Sequence, residues 1–193
     1  MARPVDPVKR QAIMHAAKKM IERDGYQSAK IAEIAAEAGV AAGTVYLYFD
    51  SKEAIAAALA SDFFEQAGGL TTKYVPLLME PNGIENYIDA VVAFATTEKC
   101  ILAQIRPSNP TMADDDYSKQ KRRELQGQMS TILKRLMDEG VIERYDPIGL
   151  SSIIFGIMHS IVMGSVVFED FPLTVYKETA AMVLRKALHP AAK

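Results

Sequence analysis

The stretch IAEIAAEAGVAAGTVYLYFDSK, from Ile31 to Lys52, decides the fold. In its first half Ile31, Ile34 and Ala35 share one face at helical spacing, and Gly39 is placed to end that helix in a left-handed conformation at little cost. Val40 plugs the corner. In the second half Val45 and Phe49 stand four apart and turn inward, so Gly43 and Leu47 point roughly the opposite way, with Thr44 and Tyr46 on the flanks. The spacing predicts two helices of about two turns each around a glycine-containing turn. That is the helix-turn-helix arrangement, whose second helix fits the DNA major groove.

An ordinary corner of an all-α protein has the same spacing, and composition has to separate the two. A helix that shows Gly, Thr, Tyr, Leu and Tyr outward, with no exposed acid before Asp50, is a poor face for water, which favours charge. Gly43 weakens a helix by about 1 kcal/mol relative to alanine, a cost that makes sense if the backbone must come close to something bulky.

The run Gly39-Val40-Ala41-Ala42-Gly43-Thr44-Val45-Tyr46-Leu47-Tyr48-Phe49, followed by Ser51-Lys52-Glu53 and preceded by Gly25-Tyr26 and Ile34-Ala35, resembles the DNA-binding domain of the TetR family of transcriptional regulators. The likeness covers roughly residues 8 to 60, with glycines, aromatics and the lysine in register. It implies an all-α fold with an N-terminal three-helix DNA-binding head, residues 1–50, and a C-terminal helical body for effector binding and dimerisation, residues 51–193. Beyond the head, only length and helix pattern are family-like.

The whole chain sets broad limits. Its 193 residues, 49% hydrophobic, suffice for a core in one domain or two small ones. A net charge of −2 does not announce a nucleic-acid binder; residues 1–50 carry 7 Lys/Arg against 6 Asp/Glu, and the rest 15 against 18. Affinity for DNA would then depend on where a few cations sit and on doubling by a dimer. The single cysteine, Cys100, fits a reducing cytoplasm. The N-terminus shows no secretory pattern. The apolar run Ile153 to Phe168 is too short to span a bilayer comfortably and reads as a buried helix, so no membrane partner is expected.

Along the head, residues 1 to 6 read as a loose arm containing Arg3. Pro7 opens a helix whose stripe of Ile13, Ala16, Ala17, Met20 and Ile21 ends at Gly25. By resemblance this helix backs the helix-turn-helix, with Arg3, Lys9 and Arg10 near phosphates or simply in solvent. Ser28 is a good N-cap for the second helix, with Ala29 and Lys30 in its first turn. A lysine there opposes the helix dipole unless a DNA phosphate docks beside it. Many family members have a serine at position 41 and a polar residue at 42; the two alanines here remove a cap and hydrogen bonds to bases. Ala42 and the Thr44 methyl can touch thymine methyls instead. The resemblance assigns Tyr46, Tyr48 and Lys52 to phosphate and sugar, with Lys52 and Tyr48 as affinity anchors and Thr44 and Tyr46 nearest base edges. The expected DNA-binding set is Ser28, Lys30, Ala42, Gly43, Thr44, Tyr46, Tyr48 and Lys52.

Asp50 and Glu53 form a capping-box-like pair for the next helix, which Ile55, Leu59 and Phe63 make amphipathic until Gly68-Gly69 breaks it. Pro81-Asn82-Gly83 is a turn before a helix marked by Ile84, Tyr87, Ile88, Val91 and Phe94, which bends near Thr97 into another through Ile105. Pro107 and Pro110 bracket a loop. A charged helix follows from Asp114 to Glu139, with Leu125, Met129, Ile132, Leu133 and Leu136 inward and a solvated Lys119–Arg123 cluster. Asp146-Pro147 then opens an apolar helix with the small row Ser152, Gly156, Ser160 and Gly164. The last helix, from Val175 to Leu188, carries Val175, Thr179, Met182 and Val183. In the family the last two helices form a four-helix dimer interface, which assigns these eight residues to it; packing of the small row within the chain is the alternative.

Three functions compete. The first is a ligand-responsive repressor, bound as a homodimer to a palindromic operator in double-stranded DNA and released by a mostly apolar small molecule. Its candidate pocket residues are Tyr87, Phe94, Cys100, Gln104, Met129, Met158 and His159, residue types that in such helices are more often plain core. The second is a DNA-binding dimer without an effector. The third, a helical small-molecule enzyme, lacks a nucleophile, acid-base pair, metal cluster or phosphate loop in the sequence, so no catalytic residue, metal or cofactor is expected.

Overall fold

The computed structural model describes residues 6–99, 101, 116–168 and 170–188, and all regular elements among them are helical. Arg3, Cys100, Gln104, Pro107 and Pro110 lie outside that set. In chain order the helices are α1 (Pro7–Asp24), α2 (Ile31–Glu37), α3 (Ala42–Tyr46), α4 (Lys52–Tyr74), a 3-10 turn (Val75–Leu77), α5 (Gly83–Thr97), α6 (Asp116–Asp138), α7 (Pro147–Val167) and α8 (Leu173–Ala187). The chain divides into two compact units, Met1–Phe63 with Cys100–Asp114, and Phe64–Lys99 with Asp115–Lys193. The division falls inside α4.

In the first unit α1 is started by Asp6, whose carboxylate accepts from the Val8 N–H at 2.9 Å, with Pro7 in its first turn. The predicted stripe is its core face: Ile13, Ala16, Ala17, Met20 and Ile21 are all buried, together with Ile34, Ala35, Val45, Phe49, Ile55 and Leu59. Ile101 joins the same core from far along the chain. Two caps differ from expectation. Ser28 caps nothing: α2 begins only at Ile31, after Lys30 in extended conformation, because Ala29 is tucked into the core instead of turning with the helix. At α4 the cap is Ser51, whose hydroxyl accepts from the Ala54 N–H at 3.2 Å, in place of Asp50. Asp50 and Ser51 are adjacent residues of the same capping type, and where the chain leaves Phe49 selects between them.

In the second unit α4 runs unbroken through Gly68 and Gly69, against the expected break. A Cβ on Gly68 would lie 3.1 Å from Gln128 Oε1 and 3.3 Å from Leu125 Cδ2 of α6. The glycine allows a close helix crossing, which local sequence cannot distinguish from a stop. Helix α7 packs against α5, α6 and α8 and supplies Ile154, Met158 and Ile161 to a core shared with Leu133, Met129, Ile88 and Leu184. Residues 147–166 are long and apolar enough by length and composition to cross a membrane, which corrects the shorter span read from the sequence. Only one side of this helix is covered: Ile148 and Ile153 are exposed. Asp146 caps it as expected, accepting from the Gly149 N–H at 2.6 Å.

Candidate nucleic-acid interface

Helices of seven and five residues are too short to stand alone, so α2 and α3 exist because their inner faces are buried. Val45 is completely buried and Phe49 nearly so, and the Arg10 guanidinium lies 5.1 Å from the Phe49 ring centre. Between the helices Gly39 takes the left-handed conformation, φ +68°, and the Val40 N–H reaches back to Ala35 O at 2.9 Å. This closes the first helix as the sequence suggested. Helix α3 is shorter than the two turns expected, and Ala41 at its N-cap position makes no side-chain cap.

The opposite side of α3 faces outward. Ala42, Gly43, Tyr46 and Leu47 are exposed, Tyr46 by 54% and Leu47 by 76%, while Thr44 and Tyr48 are half-buried. Nothing lies within 4 Å of where a Gly43 Cβ would stand, so a partner can approach the backbone there. Of the other expected DNA contacts, Lys30 is exposed and 3.7 Å from Glu33, a solvent-screened surface pair, and Ser28 is exposed in the turn before it.

Lys52 is placed differently from a lysine that only awaits phosphate. Its ammonium donates to Tyr26 O at 3.0 Å and Gln27 O at 3.1 Å, and sits 4.7 Å from the Tyr26 ring centre. It therefore ties the first turn of α4 to the corner between α1 and α2. Beside it the Glu53 carboxylate is held below the usual range by its own backbone N–H, with the Ser51 hydroxyl and the Tyr26 side chain assisting. The clamp is invisible in sequence, because its acceptors are backbone carbonyls 25 and 26 residues away.

In the second unit the expected interface residues separate. Of the row of small residues on α7, Ser152 and Gly156 line an open groove of about 480 Å³ with Lys119, Arg122, Arg123 and His159. Ser160 lines another, about 270 Å³, with Ile157, Val175, Tyr176, Thr179 and Val183. Gly164 is buried under the chain's own Phe171, whose ring would stand 2.1 Å from an added Cβ. A row of every fourth residue drifts by 40° per step on a helix of 3.6 residues per turn, so three steps carry it a third of the way round. By contrast Val175, Met182 and Val183 on α8 are all exposed.

The expected pocket residues do not form one cluster either. Tyr87, Met129 and Met158 are buried in one core, and burial pushes the Tyr87 phenol up to about 12, partly offset by a hydrogen bond with Thr71. Phe94 is half-buried, and His159 is exposed on the α6–α7 groove instead of inside. Among the described residues no three His, Cys, Asp or Glu side chains come together as metal ligands.

Comparison with known proteins gives a consistent result. The family of bacterial regulatory proteins of the tetR type matches residues 13–59. The fatty acid metabolism regulator protein of Bacillus subtilis is 46% identical over 56 residues, 29% of this chain and 27% of that one, so the chain spans about a quarter of that relative. Over whole chains, the fatty acid degradation regulator FadR of Bacillus halodurans is 25% identical with a TM-score of 0.62, covering 94% of this chain and 96% of the other. A TetR transcription regulator of Haloarcula marismortui shares the fold with a TM-score of 0.74 at 19% identity, covering 95% and 100% of the two chains.

Proposed function

We propose that the chain belongs to the TetR family of bacterial regulatory proteins and is a DNA-binding transcriptional regulator: a cytoplasmic dimer that represses from a palindromic operator. The observation that carries this reading is the uncharged outward side of α3, held on a rigid buried scaffold and open at Gly43. In a dimer two such helices would read half-sites about 34 Å or more apart, one turn of B-DNA. The exposed apolar residues of α8 beside Ser160 supply a surface on which a second copy can close.

The proposed effector is a mostly apolar small molecule. Its support is the relatives named for fatty acid metabolism and degradation, of which the second matches along the body as well as the head. Tyr87, Met129 and Met158, buried together, are the walls such a ligand would have to part. That same dense packing favours a second reading, a dimer whose body serves only association. Heat unfolding with a panel of fatty acids and aromatic compounds separates them, since a ligand bound to the native state raises the melting temperature. Selection of bound fragments from random DNA tests the main claim. Recovery of inverted half-sites is expected; an unenriched pool refutes it.

A further inference from the structure

No residue from Ala38 to Phe49 carries a charge, so α3 offers an operator neither the Arg or Lys pair that reads guanine nor the Asn or Gln pair that reads adenine. Its hydrogen-bonding side chains are the hydroxyls of Thr44, Tyr46 and Tyr48. Its most exposed large apolar side chain is an isobutyl group: Leu47 stands 76% open to solvent at the C-cap of the helix, while Val45 and Phe49, two residues to either side, are buried. A lone exposed leucine is ordinary by itself; this one is set apart by its company, an uncharged run from Ala38 to Phe49 and the open backbone at Gly43. Base edges in the major groove present one apolar group, the 5-methyl of thymine.

Resting on the reading that α3 docks on duplex DNA, we infer that the chain selects its operator through thymine methyls, with Leu47 as the residue that covers them. Ala42, exposed one and a half turns earlier, adds a second small apolar contact, and the bare backbone at Gly43 lets the groove come near enough for both. The hydroxyls then orient the helix while the methyls discriminate. The preferred half-sites are those with thymine at the contacted steps.

The test uses the full chain and the operator recovered by random selection, synthesised with thymidine or with deoxyuridine in the half-sites. That exchange removes the methyl and leaves base pairing intact. Affinity is expected to fall about fourfold for each methyl covered. Leu47→Ala, which leaves the buried scaffold untouched, should weaken binding to the thymidine operator by a similar factor and make little further difference on the deoxyuridine one. Equal affinity of the unmodified chain for both operators overturns the inference while leaving the DNA reading intact. So does a Leu47→Ala loss of the same size on both. A selection that returns no sequence overturns the DNA reading itself, and this inference with it.

Discussion

Two of the surfaces that expose apolar side chains mean different things. On α3 a single leucine is set among hydroxyls, alanines and an open glycine, whereas on α7 and α8 Ile153, Val175, Met182 and Val183 stand with a groove of almost wholly apolar lining. The first mixture suits a polar surface dotted with methyl groups. The second suits another apolar face, since large continuous patches left in water are costly. An exposed leucine or valine is thus interpreted by its company more than by its own hydrophobicity.

The comparison breaks most readily at α8. Val183→Asp would place a carboxylate against the groove and should weaken dimerisation by about 3 kcal/mol, roughly a hundredfold. Sedimentation equilibrium reads this directly; a dimer that persists unchanged means the face has another use. Gly164→Leu separates contacts within the chain from contacts between copies. Because Phe171 already fills that space, the variant should lose about 2 kcal/mol of stability even when made in a monomeric background. Urea unfolding of the double variant decides whether the residue belongs to the fold or to the interface.

On the α3 side, Lys52→Ala removes two hydrogen bonds from an ammonium to backbone carbonyls, and should destabilise the head by about 2 kcal/mol. DNA affinity would fall for all sequences alike. A variant of unchanged stability whose salt dependence flattens by about one unit per subunit would instead assign the lysine to phosphate. The smallest effect is a gain. Ala41 already has the extended backbone of an N-cap, so Ala41→Ser should stabilise the head by about 1 kcal/mol, seen as a higher melting temperature with the selected operator unchanged.

The head was more legible than the body because its signals are local. Gly39, Val45 and Phe49 declare their roles within one turn of chain, and the outward side of α3 follows by geometry from the two buried residues. Ser28 and Asp50 misled because capping chemistry marks a neighbourhood, and the exact first residue depends on what the core admits: Ala29 goes in, and α2 waits until Ile31. The body gave helices but no site. His159 and Met158 are sequence neighbours on α7, yet one faces a cationic groove and the other the core, and only the packing of α6 against α7 decides which is which.

By itself, then, the sequence determined the helix-turn-helix, the direction in which its second helix faces, and the amphipathic helices behind it, since hydrophobic period and glycine placement act over a few residues. Tertiary structure alone decided that Lys52 grips the Tyr26 corner, that Gly68 is a crossing and not a stop, and that Gly164 serves Phe171. Each of these joins groups that the chain brings together only when folded, and no local pattern encodes the distance between them.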